Sequence, residues 1–73
     1  MKRETLLSPM SGIVAYIKAP TGSIVKEYQL ILQIEAMKMF HDVTAGISGK
    51  INLTVTEGQF VQESQEIGTI LGD

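Results

Sequence analysis

The stretch LILQIEAMKM, residues 30–39, decides the fold of this chain. Apolar side chains recur in it with a period of two, which is typical of a β-strand. The alternation breaks at Met37-Lys38, and a new one begins at Met39. Because two strands joined by a very short loop form a hairpin, the break predicts a tight turn with Lys38 at its tip.

The same period of two recurs along most of the chain. In residues 13–18, one set of alternating positions holds Ile13, Ala15 and Ile17, and the other holds Val14, Tyr16 and Lys18. In residues 30–36, the two sets are Leu30, Leu32, Ile34 and Ala36, and Ile31, Gln33 and Glu35. In residues 51–56, they are Ile51, Leu53 and Val55, and Asn52, Thr54 and Thr56. Such a pattern indicates antiparallel strands with one face in the core and one in water. No segment carries a sustained helical stripe, and Gly or Pro recurs too often for a long helix. The sequence therefore predicts an all-β fold.

The two halves of the chain repeat each other. Gly12-Ile13-Val14 matches Gly49-Lys50-Ile51, Gly22-Ser23-Ile24-Val25 matches Gly58-Gln59-Phe60-Val61, and residues 29–34 match residues 65–70. The offset between the copies falls from 37 to 36 because the second copy has one residue fewer between its glycines. Each copy alone leaves an apolar face uncovered, so we expect two similar four-stranded units that pack face to face about a pseudo-twofold axis.

Length and composition indicate one small domain. The 73 residues are 44% hydrophobic but only 5% aromatic, so the core must be built from aliphatic side chains and methionine. We expect residues 1–7 to form a lead-in and the first strand, residues 8–71 the domain proper, and residues 72–73 a tail. The chain is interpreted as unprocessed, or as a domain of a longer protein supplied with an initiator Met.

The composition also excludes several classes of function. The net charge is −2 with dispersed signs and no basic run, which argues against nucleic acid as a partner. Apolar stretches fall well below the ~20 residues that cross a bilayer, so no membrane partner is expected. With one histidine, His41, and no cysteine, the usual zinc ligand set cannot form, and no serine has a recognisable His/Asp partner. We predict no catalytic residue, no metal site, and a soluble cytoplasmic protein, with a mitochondrial or plastid origin left open.

Lys38 by itself could be an ordinary solvated turn lysine. Its two neighbours, Met37 and Met39, change that interpretation, because exposing two long apolar side chains at a tip brings no benefit to folding. Recognition of the tip by a partner protein explains the methionines better. The remaining lysines lack such neighbours and are interpreted as solubilising charges.

The segment Ala36-Met37-Lys38-Met39 resembles the attachment site of biotinyl domains, and the resemblance extends over roughly residues 8–71. Ser8-Pro9-Met10-Ser11-Gly12 resembles the opening "APM-x-G" of that family, Ala45 and Gly49 its "AP-x-x-G" segment, and Gly58 with Val61 its late "G-D-x-V" turn. Three positions depart from the family pattern: Tyr28 and Ser64 stand where glycine is usual, and Gly46 stands where proline is usual.

The resemblance implies a flattened barrel-sandwich of two four-stranded antiparallel sheets and a non-catalytic biotin carboxyl carrier. Biotin protein ligase would acylate Lys38, with Glu35, Ala36, Met37 and Met39 as recognition residues. The biotin on its swinging arm would carry a carboxyl group between biotin carboxylase and carboxyltransferase sites of a biotin-dependent carboxylase, such as acetyl-CoA carboxylase, or of a decarboxylase.

Some alternatives remain open at this point. Lipoyl domains share the fold, although their acceptor lysine usually follows Asp in a "DKA"-like sequence, and an unmodified interaction module would not depend on Lys38. Glu35 and Asp42 are either solvated strand carboxylates or groups that orient the ligase or another partner. Phe40 is either a cross-strand packing residue or an exposed contact.

Overall fold

A computed structural model describes residues 2–72, which form eight β-strands. The strands are β1 (Arg3–Leu7), β2 (Gly12–Ile17), β3 (Ile24–Val25), β4 (Leu30–Ala36), β5 (Met39–Thr44), β6 (Gly49–Leu53), β7 (Phe60–Val61) and β8 (Glu66–Leu71). Within residues 2–72 no helix is long and apolar enough to span a membrane. The all-β prediction is confirmed. The proposed division at residue 8 stays a prediction, and Asp73 of the proposed tail lies outside the described residues.

The strands form two antiparallel sheets with the orders β1-β8-β6-β3 and β5-β4-β2-β7. The strands of the two halves correspond as β1 with β5, β2 with β6, β3 with β7, and β4 with β8. When each strand is replaced by its counterpart, the order of one sheet becomes the order of the other. The molecule measures 36 × 18 × 18 Å. The predicted sandwich of two four-stranded sheets with pseudo-twofold symmetry is therefore confirmed.

The core lies between the sheets and is duplicated in the same way. Its fully buried side chains include the equivalent pairs Val14 and Ile51, Val25 and Val61, Ile31 and Ile67, and Ile34 and Ile70. Each aliphatic side chain of this kind contributes about 1.5–3 kcal/mol when it leaves water. The prediction that Ile51, Leu53 and Val55 face inward is confirmed, with Leu53 only partly buried.

Strict alternation is wrong in two of the three segments predicted to show it, because β2 and β4 each contain a β-bulge. In β2 the register shifts between Val14 and Tyr16, so Ala15 is the extra residue; Val14 is fully buried, whereas Ile13 is 39% exposed. In β4 the register shifts between Leu30 and Leu32, and both Ile31 and Leu32 are buried. A bulge places two residues opposite one, which moves the side chains that follow to the other face.

The bulges also explain the offset between the two copies. β6 pairs with β8 without any shift, so the bulge at Ala15 has no counterpart and supplies the extra residue of the first half. The bulge at Ile31 does have a counterpart, because the pairing of β1 with β8 skips Ile67. One bulge is therefore shared by the halves and one is specific to the first.

Four turn positions adopt left-handed backbone, two of them occupied by glycine and two by other residues. Gly22 and Gly58 have φ of 95° and 90°, as expected for turn glycines. Tyr28 and Ser64 adopt φ of 73° and 69°, so side chains occupy left-handed positions that glycine fills at lower cost.

The presence of Gly46 instead of proline has a local reason. Its N–H donates a hydrogen bond of 2.8 Å to Glu4 Oε1. A proline there has no N–H and could not make this bond.

Candidate functional site

The junction of the two halves is a two-residue hairpin turn. Ala36 of β4 pairs with Met39 of β5, and Met37 and Lys38 form the turn between them. Their φ values are 55° and 63°, so both lie in the left-handed region that a type I′ turn requires. The predicted reversal at Met37-Lys38 is confirmed.

The side chains of this tip point into solvent. Met37 is 87% exposed and Met39 is 61% exposed, and Lys38 is exposed between them. A covalent attachment at Lys38 therefore meets no steric obstacle from the domain. The tip fits a group carried outside the fold, because nothing in the domain would have to move to make room for it.

The base of the tip is closely packed, in contrast to its end. Ala36 is half-buried, and Gly12 lies against β4 so closely that an added Cβ would sit 2.9 Å from Ile34 Cγ2 and 3.0 Å from Ala36 Cβ. His41 Nε2 lies 3.4 Å from the Ala36 carbonyl oxygen. These contacts fix the strand ends from which Lys38 projects.

The two carboxylates considered from the sequence are both exposed but do not meet. Glu35 lies opposite Phe40, one pair below the turn, whereas Asp42 lies opposite Gln33 and accepts a 2.8 Å hydrogen bond from Gln33 Nε2. Glu35 therefore remains beside the tip, and Asp42 is tied to the strand further down.

Phe40 packs against a neighbouring side chain and is also half exposed. Its ring is 50% exposed, and its centroid lies 5.6 Å from that of Tyr16 on β2. The two rings reach toward each other across β4, since β4 separates β5 from β2 in the sheet. The packing role of Phe40 is therefore confirmed, and a contact with a partner stays a prediction.

Sequence reasoning missed a group of exposed apolar residues on this sheet. Ile13, Tyr16 and Phe60 were interpreted only as parts of strands, yet they are 39%, 49% and 56% exposed. A signal was present, because the alignment of the halves sets Ile13 against Lys50. A position that differs in polarity between two copies of one strand is a candidate for function.

His41 and the acidic residues do not form a metal site in the described part of the chain. No group of three or more His, Cys, Asp or Glu side chains close enough to hold an ion occurs among residues 2–72. His41 is half-buried within β5, opposite Ile34. The chemistry that this region supports is that of an exposed primary amine.

Comparison with known proteins gives a consistent result. The model of a family described as "Biotin-requiring enzyme" matches residues 4–70. The mouse mitochondrial propionyl-CoA carboxylase alpha chain is 44% identical, over 82% of this chain and 9% of its own length. The biotin carboxyl carrier protein of Streptococcus mutans is 33% identical, over 92% of this chain and 52% of its own length.

The solved structures that superpose on this chain are also those of carboxylases. The crystal structure of Kluyveromyces lactis urea carboxylase superposes with a TM-score of 0.88 at 28% identity, covering 97% of this chain and 6% of that one. A single-chain, multi-domain long-chain acyl-CoA carboxylase superposes with a TM-score of 0.80 at 25% identity. This chain thus spans only about a tenth or less of the carboxylase chains that it resembles.

Proposed function

This chain belongs to the family of biotin-requiring enzymes, and we propose that it is the biotin carboxyl carrier domain of a biotin-dependent carboxylase, with Lys38 as the attachment residue. The observation that carries the proposal is the position of Lys38 in an exposed left-handed turn between two exposed methionines. Glu35 and Ala36 complete the proposed recognition segment below the turn.

The chemistry required of this chain is that of a nucleophile. The Lys38 Nζ attacks the acyl carbon of biotinyl-AMP held by biotin protein ligase. An amide bond forms, the bond from the acyl carbon to the phosphate oxygen breaks, and AMP leaves while the protons lost by the amine pass to solvent. The reaction removes one positive charge from a chain whose formal net charge is −2. The domain itself catalyses nothing.

The fold then positions the lysine side chain to which biotin is attached. When attached, biotin supplies the group that accepts a carboxyl at one enzyme site and delivers it at another. The β4–β5 hairpin keeps the start of the arm in one place, because its base packs against Gly12. The tethered group therefore has a high effective concentration at both sites, provided that the arm spans the distance between them.

The partners and the parent enzyme follow from the relatives and remain proposals. Propionyl-CoA and methylcrotonoyl-CoA carboxylase chains are among the relatives, so we propose an acyl-CoA carboxylase with biotin carboxylase and carboxyltransferase components. Acetyl-CoA carboxylase as the particular enzyme stays a prediction. Several relatives are named as mitochondrial, whereas the relative from Streptococcus mutans is bacterial, so the proposed compartment is the mitochondrion or the cytoplasm.

Intact mass spectrometry tests the attachment. The chain is co-expressed with biotin protein ligase in medium containing biotin, in the native form and as Lys38→Arg. We expect one biotinyl increment on the native chain and none on the variant. A folded native chain without the increment would sink the proposal and favour an unmodified interaction module. An increment of lipoyl mass, after co-expression with lipoate ligase, would favour a lipoyl carrier instead.

A further inference from the structure

Sulfur is concentrated at the tip of this molecule. The chain has four methionines, no cysteine and no tryptophan, so the thioether sulfur of methionine is its most readily oxidised group. Two of the four methionines, Met37 and Met39, stand on either side of Lys38, the proposed attachment residue. An oxidant that reaches this domain therefore finds two of its four preferred targets beside one amine.

The two tip methionines are open to solvent, whereas a third methionine is partly covered. Met37 is 87% exposed and Met39 is 61% exposed, while Met10 is half-buried and packs against the core. Met1 lies outside the described residues. Because a peroxide must reach the sulfur to react with it, we expect Met37 to be oxidised first, Met39 next and Met10 more slowly.

Oxidation of the tip methionines leaves the core of the described residues unchanged. The core cluster consists of leucine, isoleucine, valine and alanine side chains, with Met10 at its margin. Met37 occupies the turn and Met39 begins β5, and both project into solvent, so an added oxygen displaces no core atom. Methionine oxidation disrupts a protein whose core contains methionine. In this domain it changes the surface beside Lys38 instead.

The reaction at each sulfur is a two-electron oxygen transfer from hydrogen peroxide. A lone pair of the methionine Sδ attacks one peroxide oxygen, an S–O bond forms and the O–O bond breaks. The attacked oxygen passes its proton to the departing hydroxide, which leaves as water. Sulfur is oxidised by two electrons and peroxide is reduced by two. A methionine sulfoxide reductase reverses the change, because two thiols are oxidised to a disulfide while the sulfoxide oxygen leaves as water.

The oxidised tip differs from the reduced tip in polarity. A thioether is apolar, whereas a sulfoxide is polar and its oxygen is a hydrogen-bond acceptor. A protein surface that fits two apolar side chains beside Lys38 must then bury an acceptor with no donor opposite it. An unpaired buried acceptor of this kind weakens an association roughly tenfold.

The amine of Lys38 is not itself consumed by this chemistry. Its ammonium form has no free lone pair with which to attack a peroxide, and it remains exposed at the tip. Oxidation therefore alters how the tip is bound and leaves the nucleophile in place. Lost binding of this kind raises KM at unchanged kcat.

Resting on the proposed function, we propose that Met37 and Met39 form a reversible oxidation site that controls the acylation of Lys38. With both thioethers reduced, biotin protein ligase acylates the amine. With sulfoxides at the tip, the ligase acylates the same folded chain more slowly, and reduction of the sulfoxides restores the faster rate. The loading of the domain with biotin thereby responds to peroxide although the chain contains no cysteine.

Peptide mapping tests where the chain is oxidised. The unmodified chain is treated with hydrogen peroxide, the excess is removed with catalase, and the sulfoxide at each methionine is followed over time by tandem mass spectrometry. We expect Met37 to react faster than Met39, and both to react faster than Met10. Thermal unfolding followed by circular dichroism should give the same midpoint before and after treatment. Faster oxidation of Met10, or a lowered midpoint, would overturn the proposal.

Ligase kinetics test whether oxidation controls acylation. The treated chain is offered to untreated ligase with ATP and biotin, and intact mass gives the rate. We expect KM for the chain to rise about tenfold at unchanged kcat. Both classes of methionine sulfoxide reductase together should restore the native rate. Either class alone should restore only part of it, because an exposed sulfur is oxidised to both epimers and each class reduces one.

Matched variants separate the tip sulfurs from the others. Met37→Leu with Met39→Leu keeps Met1 and Met10, whereas Met10→Leu keeps both tip sulfurs. Leucine conserves the volume and apolar character of methionine, so these variants should fold. Whatever its own starting rate, the double variant should be unaffected by peroxide, and Met10→Leu should slow as much as the native chain. Met37→Leu and Met39→Leu singly should each slow less than the native chain.

The possible results are distinguishable. An equal rate of biotinylation before and after peroxide, a loss that persists in the variants without tip sulfurs, or a loss that the reductases do not reverse would overturn the oxidation site while leaving the carrier function intact. A reduced and folded chain that is never biotinylated would overturn the proposed function together with this proposal.

Discussion

The two halves of this molecule have the same backbone and different surfaces. The hairpin of β4 and β5 is closed by Met37-Lys38, whereas the equivalent strands β8 and β1 pair through Leu71 and Arg3 without a turn between them. The buried positions match in pairs, and even the left-handed residues Tyr28 and Ser64 are equivalent. The difference teaches that the repeated residues build the fold, and it leaves the unrepeated tip as the place for the proposed function.

The largest change in the free energy of unfolding is expected in the core, where the two halves are most alike. Ile31 and Ile67 are the equivalent residues of the shared bulge, and both are fully buried. We expect Ile31→Ala and Ile67→Ala each to lower the free energy of unfolding by about 3 kcal/mol, because each leaves a cavity in the same core. Urea unfolding of the two variants measures this. A cost below about 1 kcal/mol for either one would break the equivalence of the halves.

The tip should show a conflict between stability and function. Met37 and Lys38 both hold left-handed backbone, where Asn-Gly is the favoured pair of a type I′ turn. Replacing Met37-Lys38 by Asn-Gly should raise the free energy of unfolding by about 1–2 kcal/mol while abolishing biotinylation. Lys38→Gly alone is the matched control for biotinylation, since it keeps Met37 of the proposed recognition segment, and Met37→Asn alone is the control for stability only. A double variant less stable than the native chain would show that the turn is not strained as described.

A smaller rise in the free energy of unfolding is expected at the two equivalent turn positions where another residue stands in place of glycine. Tyr28 is 78% exposed and has φ of 73°. Because its ring buries little surface, packing of the ring offsets little of the free-energy cost of the left-handed backbone. We expect Tyr28→Gly and Ser64→Gly each to raise the free energy of unfolding by about 0.5–1 kcal/mol. Thermal or urea unfolding compares them, and a loss at one site only would reveal that the two turns are held by different contacts.

Much of the fold could be predicted from the sequence because the signals were local and occurred twice. The clean alternation around Ile51 gave the strand faces of the second half, and the repeated glycines gave the two matching sheets. The break in alternation at Met37-Lys38 placed the hairpin tip, because two strands joined without an intervening segment need a turn at the break.

The remaining features could not be predicted, for physical reasons. Ile13-Val14 and Ile31-Leu32 are consecutive apolar pairs, so periodicity cannot show which side faces inward or that a bulge intervenes. The contact between Phe40 and Tyr16 depends on the order of strands in the sheet, since β4 lies between them. The exposed positions 40, 35, 13 and 60 form one row across four strands, which appears only when the register of those strands is known.

The central claim is that one amine, at the unrepeated tip, receives the biotin. Its most direct test is to digest the chain after reaction with biotin protein ligase, ATP and biotin, and to sequence the peptides by tandem mass spectrometry. We predict that all of the biotin is on Lys38 and none on Lys50, Lys18, Lys26, Lys2 or the N-terminus. Biotin on another lysine, or none on a chain shown to be folded, would contradict the account.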